Sequence, residues 1–292
     1  MTTMAEEARH YILTVACASA RGQVAALSGF LDERGCYIEE FAQFDDATTH
    51  RFFARCLFRA DPEGTPPLER LRREFAAGPA ARWDMEWALH DTSVRPCVLI
   101  AVSKFDHCLN DLLYRHRIGE LKMNVPAVVS NHPDLEPLAR RHGIPFIHLP
   151  VTPDSKAAQE ARLWQTIEET GSELVVLARY MQVLSDTLCG RLRGRAINIH
   201  HSFLPGFKGA KPYHRAHERG VKLIGATAHY VTADLDEGPI VEQVVERVDH
   251  TYRPEDLVAA GRDSENIALA RAVKLHLERR VFINGNRTVI FR

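Results

Sequence analysis

Asn198 and His200 lie two residues apart at the end of a short apolar run (196–199). On a strand their side chains leave the same face, while Ile199 and His201 leave the other. An amide beside an imidazole supplies hydrogen-bond donors and a proton carrier, which suits acid–base and acyl chemistry. Residues 202–214 follow with two glycines and two prolines. They read as a long loop beyond the carboxyl end of a parallel strand, where open α/β sheets bind ligands. A second strand, 228–231, runs into Thr232-Ala233-Asp234-Leu235-Asp236-Glu237-Gly238-Pro239. Acidic residues closed by Gly-Pro make a rigid turn rather than a helix. Taken alone, that turn reads as a solvated acidic loop; its partnership with Asn198 and His200 makes it a candidate site.

The elements that must position these residues fall into two textures. Residues 11–17, 36–44, 52–58 and 83–89 read as strands. A helix carrying Val24, Ala25, Leu27, Phe30 and Leu31 at helical spacing ends at Gly35, and another runs from 66 to about 75. Trp83 and Trp87 are expected on one face of the fourth strand. This βαββαβ order predicts a ferredoxin-like domain over 8–91, followed by a polar linker at Asp91-Thr92-Ser93. From 95 to 292 continuous apolar runs (97–102, 125–129, 145–149, 174–177, 196–199) alternate with amphipathic helices (109–115, 135–142, 157–169, 184–191). That alternation predicts a Rossmann-like, mostly parallel sheet covered on both faces. Strands at 227–231 and 240–245 read as an antiparallel extension. A long helix over about 254–277 and a hairpin at 281–291, turning at Asn284-Gly285, complete the chain.

Composition narrows the partners. The 292 residues carry 37 Lys plus Arg against 38 Asp plus Glu, a net charge of −1 that leaves no broad basic footprint for nucleic acid. The six cysteines include no CxxC pair and sit mostly in apolar runs, so buried free thiols are expected. His200, His201, His214 and His229 complete no four-ligand spacing, so no metal is expected. No run of about 18 apolar residues occurs, and the acidic start MTTMAEEARH is unlike a secretion signal. The expectation is a soluble, reducing, cytoplasmic setting, no membrane contact and a small-molecule partner.

The motifs INIHHSFLPGFKGAKPYHRA (197–216) and GVKLIGATAHYVTADLDEGPIVEQ (220–243) resemble the folate-dependent formyltransferase superfamily and, within it, the formyltetrahydrofolate deformylase family. The segments AVSKFDHCLNDLLYR (101–115), VVSNHPDLEPLARRHGIPFIHLPV (128–151) and LARYMQVLS (177–185) extend the resemblance over about 95–290. The amino-terminal unit resembles an ACT domain. The resemblance implies that Asn198, His200 and Asp236 are the catalytic trio. Asn198 and a charged His200 would stabilise the oxyanion formed on attack at the N10-formyl carbon, while Asp236 orients His200 and holds the attacking water. It further implies a pterin cleft around Leu177, Met181, Gln182, Val183, Leu184 and Val231.

The acceptor follows from the loop after the first strand of the second domain. Related transferases place a glycine-serine phosphate cradle there, whereas this chain has Ser103-Lys104-Phe105-Asp106-His107-Cys108, without glycine. Ser103, Lys104, His107 and Cys108 match the deformylase form, and His201 stands where the transferases have proline. Water is therefore the expected acceptor, giving formate and tetrahydrofolate, with formate feeding purine (IMP) biosynthesis. 10-Formyltetrahydrofolate is then the substrate, and no cofactor is expected. The alternatives are a formyltransferase acting on an amine and a non-catalytic folate or amino-acid sensor. The turn Cys17-Ala18-Ser19-Ala20-Arg21-Gly22-Gln23 keeps the glycine of the deformylase pattern but lacks its Pro and Asp. That leaves the ACT-like unit a scaffold role, pairing sheets between subunits of a dimer or a multiple of one. Arg191, Arg193, Arg195, Lys208 and Lys211 are candidates for a folate glutamate tail or for a solvated face.

Overall fold

A computed structural model describes residues 9–61, 64–152, 154–204 and 212–292. The chain divides into two compact units. Arg279–Phe282 and Val289–Arg292 group with the first ninety-odd residues, and Ile283–Thr288 group with the second unit. The terminal hairpin is thus divided between the units, its outer ends grouping with the first and its turn and inner halves with the second.

In the first unit, β1 (Arg9–Ala18), α1 (Gln23–Asp32), β2 (Cys36–Asp46), β3 (Arg51–Ala60), α2 (Leu68–Phe75) and β4 (Glu86–Asp91) follow in order. The antiparallel sheet has the order β2-β3-β1-β4, the ferredoxin-like arrangement. Leu27, Leu31, Phe58, Leu71 and Phe75 fill its core, with Phe75 edge-on to both Phe30 and Trp87. Val24 and Ala25 lie outside this core and are exposed; Gln23, Leu27, Phe30 and Leu31 form the buried face of α1. The strand expected over 83–89 begins only at Glu86, because a π-helical turn, Ala76–Ala80, extends α2. Pro79 within it lacks the N–H that an α-turn needs, and its ring crowds the preceding turn, which widens the helix. Trp83 therefore packs on the core from a turn rather than from the pleat.

The second unit is a seven-stranded sheet of order β11-β10-β9-β8-β5-β6-β7. Its parallel part is β5 (Val98–Val102), β6 (Val128–Ser130), β7 (Phe146–His148), β8 (Leu174–Leu177) and β9 (Ala196–His200). The helices α3 (His107–Arg117), α4 (Glu136–Arg141), α5 (Lys156–Glu169) and α6 (Asp186–Arg191) connect these strands. Every residue of β5 is fully buried, as expected for a strand covered on both faces. Burying each such Val, Leu or Ile stabilises the fold by about 1.5–3 kcal/mol. Next come α7 (Pro212–Arg219), the antiparallel β10 (Leu223–Tyr230) and β11 (Ile240–Arg247), and α8 (Pro254–Leu277). The loop expected over 202–214 thus ends in a helix: Pro212 sits at its first position, where a missing N–H costs nothing. The last strands, β12 (Val281–Asn284) and β13 (Arg287–Ile290), form a two-stranded hairpin whose turn lies one residue later than expected.

Candidate active site

Three neighbouring chain segments build the site. On β9, Asn198 and His200 share a face because side chains alternate. The antiparallel register sets His229 of β10 opposite Asn198 and Thr227 opposite His200. The third segment is the turn joining β10 to β11, closed by the Tyr230 N–H donating to the Pro239 carbonyl at 2.9 Å. Gly238 makes this closure possible: a Cβ there would lie 1.7 Å from the Tyr230 oxygen. Asp236 takes the left-handed conformation (φ 59°), uncommon for a residue with a Cβ but tolerated best by Asp and Asn. The turn thereby carries its carboxylate back onto the strands.

Asp236 Oδ2 lies 3.1 Å from His200 Nδ1, and its Oδ1 lies 3.6 Å from His229 Nε2. Asn198 Nδ2 is 3.3 Å from the same His229 nitrogen, while His229 Nδ1 lies 2.9 Å from the Tyr230 carbonyl. That contact places a proton on Nδ1, and Nε2 stands between the Asn198 amide and the Asp236 carboxylate. Burial alone would push the Asp236 carboxyl up, but hydrogen bonds and charge from His200 and His229 hold it well below the usual carboxylate range. The carboxylate is thus ionised and orients His200 through Nδ1. His200 Nε2 is buried and has no hydrogen-bond partner among the described residues, an expensive state unless a ligand meets it. The second N–H of the Asn198 amide is likewise available to a ligand. Together these atoms can polarise a carbonyl oxygen while a carboxylate stands by to take a proton.

The structure brings Asn198, His200 and Asp236 together and adds His229, which sequence spacing offered only as a rejected metal ligand. Its signal was the alternation on β10, which becomes readable once the β9–β10 register is known. His201 stacks on His200 with ring centroids 5.0 Å apart. Ser103 is buried; its hydroxyl donates to Asn131 Oδ1 at 2.6 Å and accepts from the Met181 N–H at 2.9 Å. It therefore ties the start of the loop after β5 to the segment after β8. Lys104 is exposed. Leu177, Leu184 and Val231 belong to the buried core on one side of the sheet, whereas Met181 and Val183 are 52% and 56% exposed and Gln182 is half-buried. The apolar segment thus supplies both core and open surface. Arg191 lies over the Trp164 ring, Arg195 donates to the Ser172 carbonyl, and Arg193 is exposed. Lys208 and Lys211 lie outside the described residues.

His107 falls in a second polar cluster. Its Nε2 is 2.8 Å from Glu265 Oε2 on α8, with Cys108 beside them. Ligand atoms of these three residues lie within 4.8 Å of one another, but Arg179 Nε is 3.4 Å from the same carboxylate oxygen. Burial, reinforced by Glu265, pushes the Cys108 thiol well up, so it holds its proton. A guanidinium in place and a protonated thiol oppose a dication there.

The chain matches the formyl transferase family over residues 97–273. It is 54% identical to the formyltetrahydrofolate deformylase of Corynebacterium sp. (strain P-1), across 99% of this chain and all of that one. The crystal structure of formyltetrahydrofolate deformylase from Burkholderia mallei superposes with a TM-score of 0.93 at 62% identity, over 97% of this chain and all of that one. Glycinamide ribonucleotide transformylase 1 from Symbiobacterium toebii matches at a TM-score of 0.63 and 32% identity, over 68% of this chain and 95% of its own. The transformylase accounts for about two thirds of the chain, while the deformylases run through both units.

Proposed function

This chain belongs to the formyltetrahydrofolate deformylases of the formyl transferase family, and from that premise we propose that it hydrolyses 10-formyltetrahydrofolate with Asn198, His200 and Asp236 as its catalytic groups. The observation that supports these roles is the meeting of three segments at one point: His200 Nδ1 lies 3.1 Å from Asp236 Oδ2, beside Asn198 on the same strand face. Water, held by Asp236, attacks the formyl carbon and forms the new C–O bond. The oxygen that gains charge is met by the Asn198 amide and by His200 Nε2–H, the partnerless buried atom. Collapse breaks the carbon–N10 bond; one water proton reaches N10 and the other passes to solvent, leaving formate and tetrahydrofolate. General acid–base help of this kind contributes about 10²–10⁴-fold.

Water rather than an amine is the acceptor because the 103–108 loop has no glycine for a phosphate cradle and is tied down by Ser103 and His107. Met181, Gln182, Val183 and the ends of the core at Leu177, Leu184 and Val231 take the pterin; His201, stacked on His200, confines the water. Lys104 lies at the rim of the same loop. The formate supplies purine synthesis, in the cytoplasm, and no further cofactor is needed. Among the described residues no helix is long and apolar enough to cross a membrane. The first unit pairs sheets between subunits, so light scattering should find a dimer or a multiple of it; a single 33.0 kDa species contradicts this. The test of function is formate release by purified protein without added amine. Dependence on an amine acceptor rejects the hydrolase reading, and folate binding without turnover favours a sensor.

A further inference from the structure

Glu265 sits on α8 with 1% of its surface exposed, and both of its oxygens are engaged. Oε2 faces His107 Nε2 at 2.8 Å and Arg179 Nε at 3.4 Å, while Oε1 accepts from the Tyr213 hydroxyl at 3.0 Å. These partners come from the start of α3, the segment after β8, and α7. Strand β8 lies between β5 and β9, so the chain leaving β5 and β8 emerges at the sheet edge next to His200. Gly261, one turn before Glu265, makes the arrangement possible: a Cβ there would lie 2.0 Å from Tyr213 Cζ, so only bare backbone admits the ring. Burial alone would push the Glu265 carboxyl up, but His107, Arg179 and Tyr213 together hold it below its ordinary value.

Arg179 adopts a left-handed backbone (φ 63°), a conformation that costs about 1–3 kcal/mol and persists where the surroundings over-determine it. Its guanidinium is engaged by Glu265 and lies 5.0 Å from the centre of the Phe105 ring. Two residues on, the Met181 N–H is held by Ser103 Oγ. The segment 178–183 is thus pinned at both of these points by side chains from other elements.

We propose that Glu265 is a positioning residue for folate binding: by holding Arg179 and His107 it fixes the 178–183 segment, and so sets affinity for the substrate rather than the rate of formyl cleavage. This rests on the reading above that the segment receives the pterin. The test measures KM and kcat for formate release, and Kd for tetrahydrofolate by fluorescence titration, in the full-length parent, Glu265→Gln, Arg179→Gln and Arg179→Lys. Glu265→Gln keeps size and an acceptor for Tyr213 but loses the charge. Glu265→Gln and Arg179→Gln should each raise KM and Kd about 10- to 100-fold, the cost of leaving one member of a buried charged pair without its counterpart. Their kcat should stay within about threefold of the parent, and Arg179→Lys should recover part of the lost affinity. Unchanged KM and Kd, a loss confined to kcat, or Arg179→Lys no better than Arg179→Gln overturns the proposal. Should Glu265→Gln fail to fold, the Arg179 pair decides. A parent that neither binds tetrahydrofolate nor releases formate defeats the functional reading itself, an outcome distinct from a failed KM split in an active parent.

Discussion

Replacing Asp236 by Asn removes one negative charge while leaving size and backbone almost untouched. Asn is among the few residues that accept the left-handed conformation found at 236, so the turn closed by Tyr230 and Pro239 should persist. What is lost is specific. His200 Nδ1 no longer faces a carboxylate at 3.1 Å, and His229 Nε2 no longer faces one at 3.6 Å. Under the proposed mechanism the attacking water also loses its proton acceptor. The general-base contribution alone is about 10²–10⁴-fold, which corresponds to about 2.7–5.4 kcal/mol of barrier. Formate release should therefore fall by about that factor, while tetrahydrofolate binding, measured by fluorescence titration, should change little. The same carboxylate carries a pH signature. Its folded-state pKa lies below the unfolded value of about 3.9, so its contribution to stability is fully present above that value and is lost as pH falls toward the folded one. Acid titration of folding in the Asn variant should lack this component. A variant keeping more than about a tenth of parental turnover would refute the assigned role, since one tenth is far short of the expected loss.

Three further substitutions follow from contacts around the site. Gly238→Ala forces a Cβ to within 1.7 Å of the Tyr230 oxygen, so thermal melting should show a loss of about 1–3 kcal/mol together with reduced turnover; Gly29→Ala, with open space at its Cβ, serves as the harmless control. His229→Ala removes the ring between Asn198 and Asp236, and kcat should drop about 2- to 10-fold, the worth of one ordinary hydrogen bond; full activity would show that His200 alone orients the carboxylate. Ser103→Ala leaves the Met181 N–H without its partner at a cost of about 1–3 kcal/mol, and steady-state kinetics should show a raised KM with kcat largely kept.

Much of this was legible in the sequence for reasons that can be named. Strands β5 and β8 read as unbroken apolar runs because the sheet is covered on both faces, and in β9 Asn198 and His200 are the polar interruptions of such a run. Asp236 is 36 residues beyond His200 in sequence, and the family resemblance rather than any local pattern paired them. His229 carries no catalytic signal in sequence, because strand alternation does not specify register; the pairing with Asn198 exists only once β9 and β10 are aligned. Glu265 escaped for a different reason. On a 24-residue helix an acidic residue ordinarily faces water, and nothing nearby in sequence marks the one whose partners arrive from α3, α7 and the chain after β8. The π-helical turn at Ala76–Ala80 and the helix starting at Pro212 were both hidden behind prolines. Proline signals a break in a helix or the start of one, and the choice is set by tertiary packing.

The central claim, that a water molecule attacks the folate-borne formyl carbon, is tested most directly by running the reaction in ¹⁸O-labelled water without any amine and analysing the formate by mass spectrometry. Formate carrying one solvent-derived oxygen from the parent protein, and almost none formed by the Asp236→Asn variant, is the predicted result. Unlabelled formate, or formyl transfer that proceeds only when an amine is supplied, would contradict it.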